Sequence, residues 1–123
     1  MSIIVSISPF QEHEPTEPPT LTVEVRPDRE RVIVAPFGEI DLGTVGMVRE
    51  RLEELEAAGF EKLVLDLRGV TFIDSTGLRL VLDEARNTGI QFGVIPGPDA
   101  VQRVFELTGT AEALPFIEPG RVY

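Results

Sequence analysis

The stretch Leu63-Val64-Leu65-Asp66-Leu67-Arg68-Gly69-Val70-Thr71-Phe72-Ile73-Asp74-Ser75-Thr76-Gly77-Leu78 decides the fold. Lys62 to Leu67 is a nearly continuous apolar run, the pattern of a central strand buried on both faces. Arg68 to Asp74 reads as a short loop. From Ser75 the pattern turns helical: Leu78, Val81, Leu82 and Ala85 form one stripe over Ser75 to about Asn87, and Gly89 ends it. Strand, loop and helix in direct succession put Ser75 where an N-cap belongs. A helix N-terminus presents unpaired N–H groups and partial positive charge. A phosphate carried by Ser75 would meet donors there, and would add about −1.5 to −2 charges next to Asp74. The plain alternative is a cap worth about 1 kcal/mol, with Asp74 a turn residue and Gly77 a packing glycine.

Working outward, the N-terminal side gives two strands and a helix. Leu21, Val23 and Val25 alternate with polar residues, Pro27-Asp28-Arg29-Glu30 is turn chemistry, and Arg31 to Pro36 makes the second arm of a hairpin. Phe37 to Asp41 leads into a helix from about Gly43 to Ala58, with Val45, Val48, Leu52 and Leu55 inward. Glu50 to Glu56 read as its solvated face. On the C-terminal side, Ile90 to Ile95 is a strand broken by Pro96-Gly97-Pro98. Asp99 caps a third helix stopped by Gly109, and Leu114 to Ile117 can add a last short strand. The order β-β-α-β-α-β-α-(β) implies parallel crossovers and a sheet with helices against it. Ser8 to Thr20, rich in Pro and Glu, reads as a flexible or extended lead-in, although Met1 to Ile7 can pair as an edge strand.

The totals narrow the function. The chain has 123 residues, 42% of them hydrophobic, which suits one domain with a true core. Its formal net charge is −10, and its 11 Lys and Arg are scattered, which disfavours nucleic acid and anionic membranes as partners. It holds no cysteine, so disulfides and thiolate chemistry are excluded. No apolar run nears the ~18 residues that span a bilayer, and nothing resembles a signal peptide, so a cytoplasmic location is expected.

Catalysis finds little support. His13, the only histidine, lies in the lead-in, which argues against a Ser-His-Asp set; Glu12-His13-Glu14 lacks a third metal ligand on rigid structure. No dinucleotide fingerprint or phosphate loop is present. Asp41, in Phe37-Gly38-Glu39-Ile40-Asp41-Leu42-Gly43, is either an N-cap or a carboxylate at the same sheet end as Ser75, since both residues follow a strand and precede a helix.

Leu63 to Leu82 resembles the signature of STAS domains, above all of the bacterial anti-sigma factor antagonists (anti-anti-sigma factors). Val70, Phe72, Asp74, Ser75, Thr76, Gly77 and Leu78 fit the strand-turn-helix motif. Gly38-Glu39-Ile40-Asp41 is similar to the family's Gly-Glu-Leu-Asp segment, and Val104 to Gly109 resembles its last helix. The likeness spans roughly Leu21 to Ile117. It implies an α/β STAS-type fold, a central mixed β-sheet of four to five strands with three or more helices packed against it. The domain would cover residues 21–119, after a lead-in at 1–20 and before a tail at 120–123.

The resemblance also implies a mechanism. The unphosphorylated domain binds an anti-sigma factor that is also a serine kinase and so releases the sigma factor. Phosphorylation of Ser75 switches binding off, and a serine phosphatase resets it. Asp41, Asp74, Ser75, Thr76, Gly77 and Arg79 would form the partner-binding surface, with Thr76 a possible second acceptor. ATP and Mg would belong to the kinase, leaving this chain without cofactor, metal or catalytic residue. Thr76, Arg79, Thr110 and the long lead-in depart from the usual pattern and bear on which partner is bound. Two other expectations stand: a STAS scaffold or ligand-sensing module, and a small enzyme using Asp41 and Asp74.

Overall fold

The computed structural model describes residues 3–5 and 20–118. Most of the lead-in, including Glu12-His13-Glu14, and the tail at 120–123 lie outside the described residues. Ile3–Val5 forms a first strand (β1), antiparallel to Leu21–Asp28 (β2) with Ile3 opposite Val25. Strand β2 continues into the hairpin with Arg31–Ile40 (β3), where Asp28 pairs with Arg31. The turn is therefore tighter than the Pro27 to Glu30 expected. Arg29 takes a left-handed conformation (φ 63°), and the Arg31 guanidinium donates to Asp28 Oδ2 at 2.9 and 3.1 Å.

Strand β3 runs on through Phe37 to Ile40, a segment the sequence reading treated as a lead-in to the first helix. Pro36 and Gly38 both have places in the ladder. Val32 to Val34 pair in parallel with Lys62–Asp66 (β4), and Gly38 to Ile40 pair in parallel with Val70–Ile73 (β5). Pro36, which has no N–H to give, falls in the gap between these two partners. At Gly38 (φ 120°) the register shifts, and a Cβ there would sit 2.0 Å from the Thr20 carbonyl oxygen, so only glycine fits the bulge.

The sheet order is β1-β2-β3-β4-β6, with β5 beside β3 and Gln91–Ile95 (β6) parallel to β4. Strand β5 corrects the reading of Arg68 to Asp74 as a loop. Its pairing is with β3, some thirty positions back in sequence, and its middle residues Thr71 and Phe72 are exposed. The expected last strand reduces to a single bridge, Val94 to Phe116.

Three α-helices pack on one face: Val45–Ala57 (α1), Ser75–Ala85 (α2) and Asp99–Leu107 (α3), with a 3-10 turn at Ala111–Ala113. Val48, Leu52, Leu80, Val81, Val101 and Phe105 meet Val23, Val34, Leu63, Leu65 and Val94 in one cluster. Burying each such side chain contributes about 1.5–3 kcal/mol before the entropy of ordering is counted. Ile33, Ala35, Val64 and Ile95 fill the opposite face with Ile117 against them. The expected mixed sheet with helices against it is present.

Two caps differ from expectation. Asp74, not Ser75, is the N-cap of α2, and Asp99 is the first residue of α3 rather than its cap, which is Pro98. The fold brings the C-terminal ends of β3 and β5 together: Ile40 pairs with Ile73, and the Asp74 amide donates to the Ile40 carbonyl at 3.1 Å. Asp41 and Asp74 therefore leave the sheet side by side.

Candidate functional site

The site is built from the two turns that follow β3 and β5. In the first, Asp41 Oδ1 accepts from the amides of Gly43 at 2.9 Å and Thr44 at 3.1 Å. The Asp41 carbonyl accepts from the Val45 amide at 2.8 Å. Asp41 thus folds the turn before α1, while Thr44 holds the N-cap position without a side-chain cap bond of its own. Thr44 was not singled out from the sequence, yet it organises this turn. It is buried, its hydroxyl donates to the Glu39 carbonyl at 2.7 Å, and the same oxygen accepts from the Asp41 amide at 2.9 Å. The visible signal was the Asp-x-x-Thr spacing, a pattern of local side-chain to backbone bonding.

In the second turn, Asp74 Oδ1 accepts from the Thr76 amide at 2.9 Å, the Thr76 hydroxyl at 2.5 Å and the Gly77 amide at 3.3 Å. The Thr76 hydroxyl, then the Gly77, Thr76 and Leu42 amides, hold the Asp74 carboxyl below its ordinary 3.8 against a smaller opposing effect of burial. Gly77 has a steric reason: a Cβ there would lie 2.6 Å from Ile73 Cγ1 and 2.7 Å from Ile40 Cγ2. Helix α2 can start this close to β3 and β5 only with a bare Cα at that point.

Ser75 is the first residue of α2 and is exposed. No described residue holds its hydroxyl. Thr76 differs in this respect, because its hydroxyl is committed to Asp74. One turn along α2, Arg79 is 75% exposed and only loosely paired, its Nε 3.7 Å from Asp83 Oδ1. The fold therefore gathers Asp41, Asp74, Ser75, Thr76 and Gly77 at one end of the sheet, with Arg79 on the adjoining turn of α2. Two apolar side chains flank these turns, Leu42 at 78% exposed and Phe72 at 49%.

The helix start is less receptive to a phosphate than the sequence implied. Asp74 already accepts from the Thr76 and Gly77 amides, two of the donors a phosphate on Ser75 would seek. An added phosphate would sit beside an ionised carboxylate with few free local partners. Among the described residues, no group of three or more His, Cys, Asp or Glu is placed to hold a metal ion, and no helix is long and apolar enough to cross a membrane.

Comparison with known proteins agrees with this geometry. Residues 20–119 match the STAS domain family model. The anti-sigma-F factor antagonist RsfB of Mycobacterium tuberculosis is 31% identical over 94 residues, covering 75% of this chain and 77% of that protein. An anti-sigma F factor antagonist of Paenibacillus polymyxa is 28% identical over 102 residues, covering 80% and 87%. The crystal structure of an anti-sigma factor antagonist from Mycobacterium paratuberculosis superposes with TM-score 0.71 at 29% identity, covering 80% of this chain and 86% of that one. SpoIIAA in its unphosphorylated form, at 22% identity and TM-score 0.64, shares the fold. With the motif, the sheet order and these likenesses in agreement, the chain belongs to the STAS domain family and stands among relatives that are anti-sigma factor antagonists.

Proposed function

We propose that this protein is an anti-sigma factor antagonist whose binding is switched off by phosphorylation of Ser75. The observation that carries the reading is the contrast between neighbouring hydroxyls: Ser75 is exposed and unheld, while Thr76 is bonded to Asp74. A kinase can reach the first without dismantling the helix start, so Ser75 is the acceptor and Thr76 a supporting residue. In the unmodified state the partner, an anti-sigma factor with serine kinase activity, docks on Asp41, Asp74, Ser75, Gly77 and Arg79, with Leu42 and Phe72 supplying apolar contact. ATP and Mg enter with that kinase, and a serine phosphatase restores the free hydroxyl.

The switch is electrostatic. Asp74 stays ionised because its hydrogen bonds hold its carboxyl below the ordinary range. Adding about −1.5 to −2 charges one residue away repels this carboxylate and leaves the phosphate in water. The cost appears when a partner tries to desolvate it, so the complex weakens while the free domain keeps its fold. A small enzyme using Asp41 and Asp74 is disfavoured, because both carboxylates are spent on backbone and hydroxyl donors and Asp74 shifts away from the range useful to a general acid.

The test compares wild type, Ser75→Ala and Ser75→Asp as bait in bacterial lysate, then measures affinity for the recovered kinase. Wild type and Ser75→Ala are expected to bind, and Ser75→Asp to bind at least about tenfold more weakly, or 1.4 kcal/mol. With ATP, phosphate should appear on Ser75 and not on Thr76. Folded variants that bind equally, or a kinase that leaves Ser75 unmodified, would move the reading to a scaffold or ligand-sensing STAS module.

A further inference from the structure

Helical spacing places Glu56 on the solvated acidic face of α1, but the structure shields one of its carboxylate oxygens from water. Glu56 lies in the last turn of α1 and meets Glu84, in the last turn of α2. Oε2 of Glu56 and Oε1 of Glu84 are both shielded from solvent, and neither has a hydrogen-bond partner among the described residues. One neutral donor is close: Asn87 Nδ2 donates to Glu56 Oε1 at 2.8 Å. The charged groups acting on Glu84 are Glu56 and Glu53, both on α1 and both acidic. On α1, Arg51 is tied to Glu54 at 2.8 Å, and Arg86, just past the end of α2, is exposed. The corner opens on a shallow hollow of about 310 Å³ lined by Glu56, Phe60, Glu61, Asn87 and Ile90, which brings no cation.

Two carboxylates that meet at shielded oxygens, with no cation between them, disfavour double ionisation. A single proton resolves the arrangement. One carboxyl becomes an O–H donor, the other accepts, and both unpartnered oxygens are satisfied at once. We propose that Glu56 and Glu84 share one proton and form a pH-sensitive clasp between the trailing ends of α1 and α2. When the proton leaves, like charges face each other across the helix contact, and the end of α2 opposite Ser75 is pushed away from α1. The inference does not depend on the role of Ser75.

Burial first, then the hydrogen bond and charge of Glu56 and the charge of Glu53, push the Glu84 carboxyl from its ordinary 4.5 up to about 8, with Asn87 acting the other way. The folded state therefore holds a proton that the unfolded chain gives up near pH 4.5. Stability from the clasp is complete below that pH and is lost as pH rises through about 8. The experiment is a carbon-13 carboxyl NMR titration of the full chain, together with melting temperatures at pH 6 and pH 9.

For wild type, one carboxyl of the pair is expected to titrate near pH 8, and Tm to fall by roughly 5 °C between the two pH values. Glu84→Gln keeps a hydrogen-bond donor for Glu56 but cannot ionise, so its Tm should change little over that range. Titration of Glu84 in the ordinary carboxylate range, or an equal fall in Tm for Glu84→Gln, would overturn the clasp. If Glu84→Gln fails to fold, Glu56→Gln removes the same repulsion from the α1 side, and the wild-type titration decides without any variant.

Discussion

Two aspartates, one at the end of β4 and one just past the end of β5, solve the same local problem with opposite results. Asp66 accepts from the Arg68 amide at 3.0 Å and from the Arg68 guanidinium at 3.0 and 2.8 Å. Asp74 accepts from the Thr76 amide and the Thr76 hydroxyl, again two residues ahead. Both carboxyls sit below their ordinary value. For Asp66, burial pushes upward and is outweighed by the hydrogen bonds and charge of Arg68 with help from Arg26. For Asp74, the Thr76 hydroxyl leads, and burial opposes it and is outweighed.

What differs is the partner and the depth. Asp66 is buried and meets a cation, which in turn is held more firmly in its protonated form. The charge is neutralised, so the turn serves the fold. Asp74 is capped by a short neutral side chain at a more open position, and its negative charge remains on display beside an exposed serine. The same turn chemistry thus yields a neutralised structural joint when the donor is Arg68, and an uncompensated charge at the surface proposed to meet the partner when the donor is Thr76.

Removing each acid should separate these roles. Asp66→Ala strips a buried acceptor from Arg26, Arg68 and the Arg68 amide, and should cost about 2 kcal/mol in denaturant unfolding. Half of the Arg68 side chain stays in water, which keeps the cost below that of a fully buried pair. Because the folded carboxyl lies below 3.8, this contribution is present above that pH and is lost as pH falls through the folded value, so wild type and variant should converge in acid. A deficit that stayed constant down to pH 2 would assign it to packing rather than charge.

Asp74→Ala should cost about 1 kcal/mol, the ordinary worth of a cap, while weakening partner binding more than Asp66→Ala does. If Asp66→Ala harmed affinity more, the assignment of surface and joint would be reversed. Thr76→Val removes only the hydroxyl and should cost about 0.5 kcal/mol. It should also leave Ser75 phosphorylation intact by mass spectrometry; loss of the modification with the fold retained would make Thr76 part of kinase recognition.

The strand-turn-helix stretch around Ser75 was legible because each piece carries a local signal: the apolar run of β4, the stripe of α2, and a glycine two residues after the serine. Strand β5 was not, because Thr71 and Phe72 face solvent and its reason to be extended is the distant edge of β3. The cap moved from Ser75 to Asp74 because extended backbone at Asp74 (φ −108°, ψ −170°) puts its carboxylate over the first amides, a choice between adjacent cap-forming residues. Glu56 looked solvated because helical periodicity shows which way a side chain points and is silent about what another helix brings against it.

Sequence by itself determined what depends on neighbours along the chain: the three helices and the strands they alternate with, though not β5, the helical stripes, the family motif and the serine at its centre. Tertiary structure decided what depends on distance through space. It set Asp41 beside Asp74 through the Ile40–Ile73 register, left the Ser75 hydroxyl open while committing that of Thr76, and pressed Glu84 onto Glu56. The physical reason is that hydrogen bonding and burial, which set the charge and availability of a side chain, are properties of the packed surroundings and are not fixed until strands and helices meet.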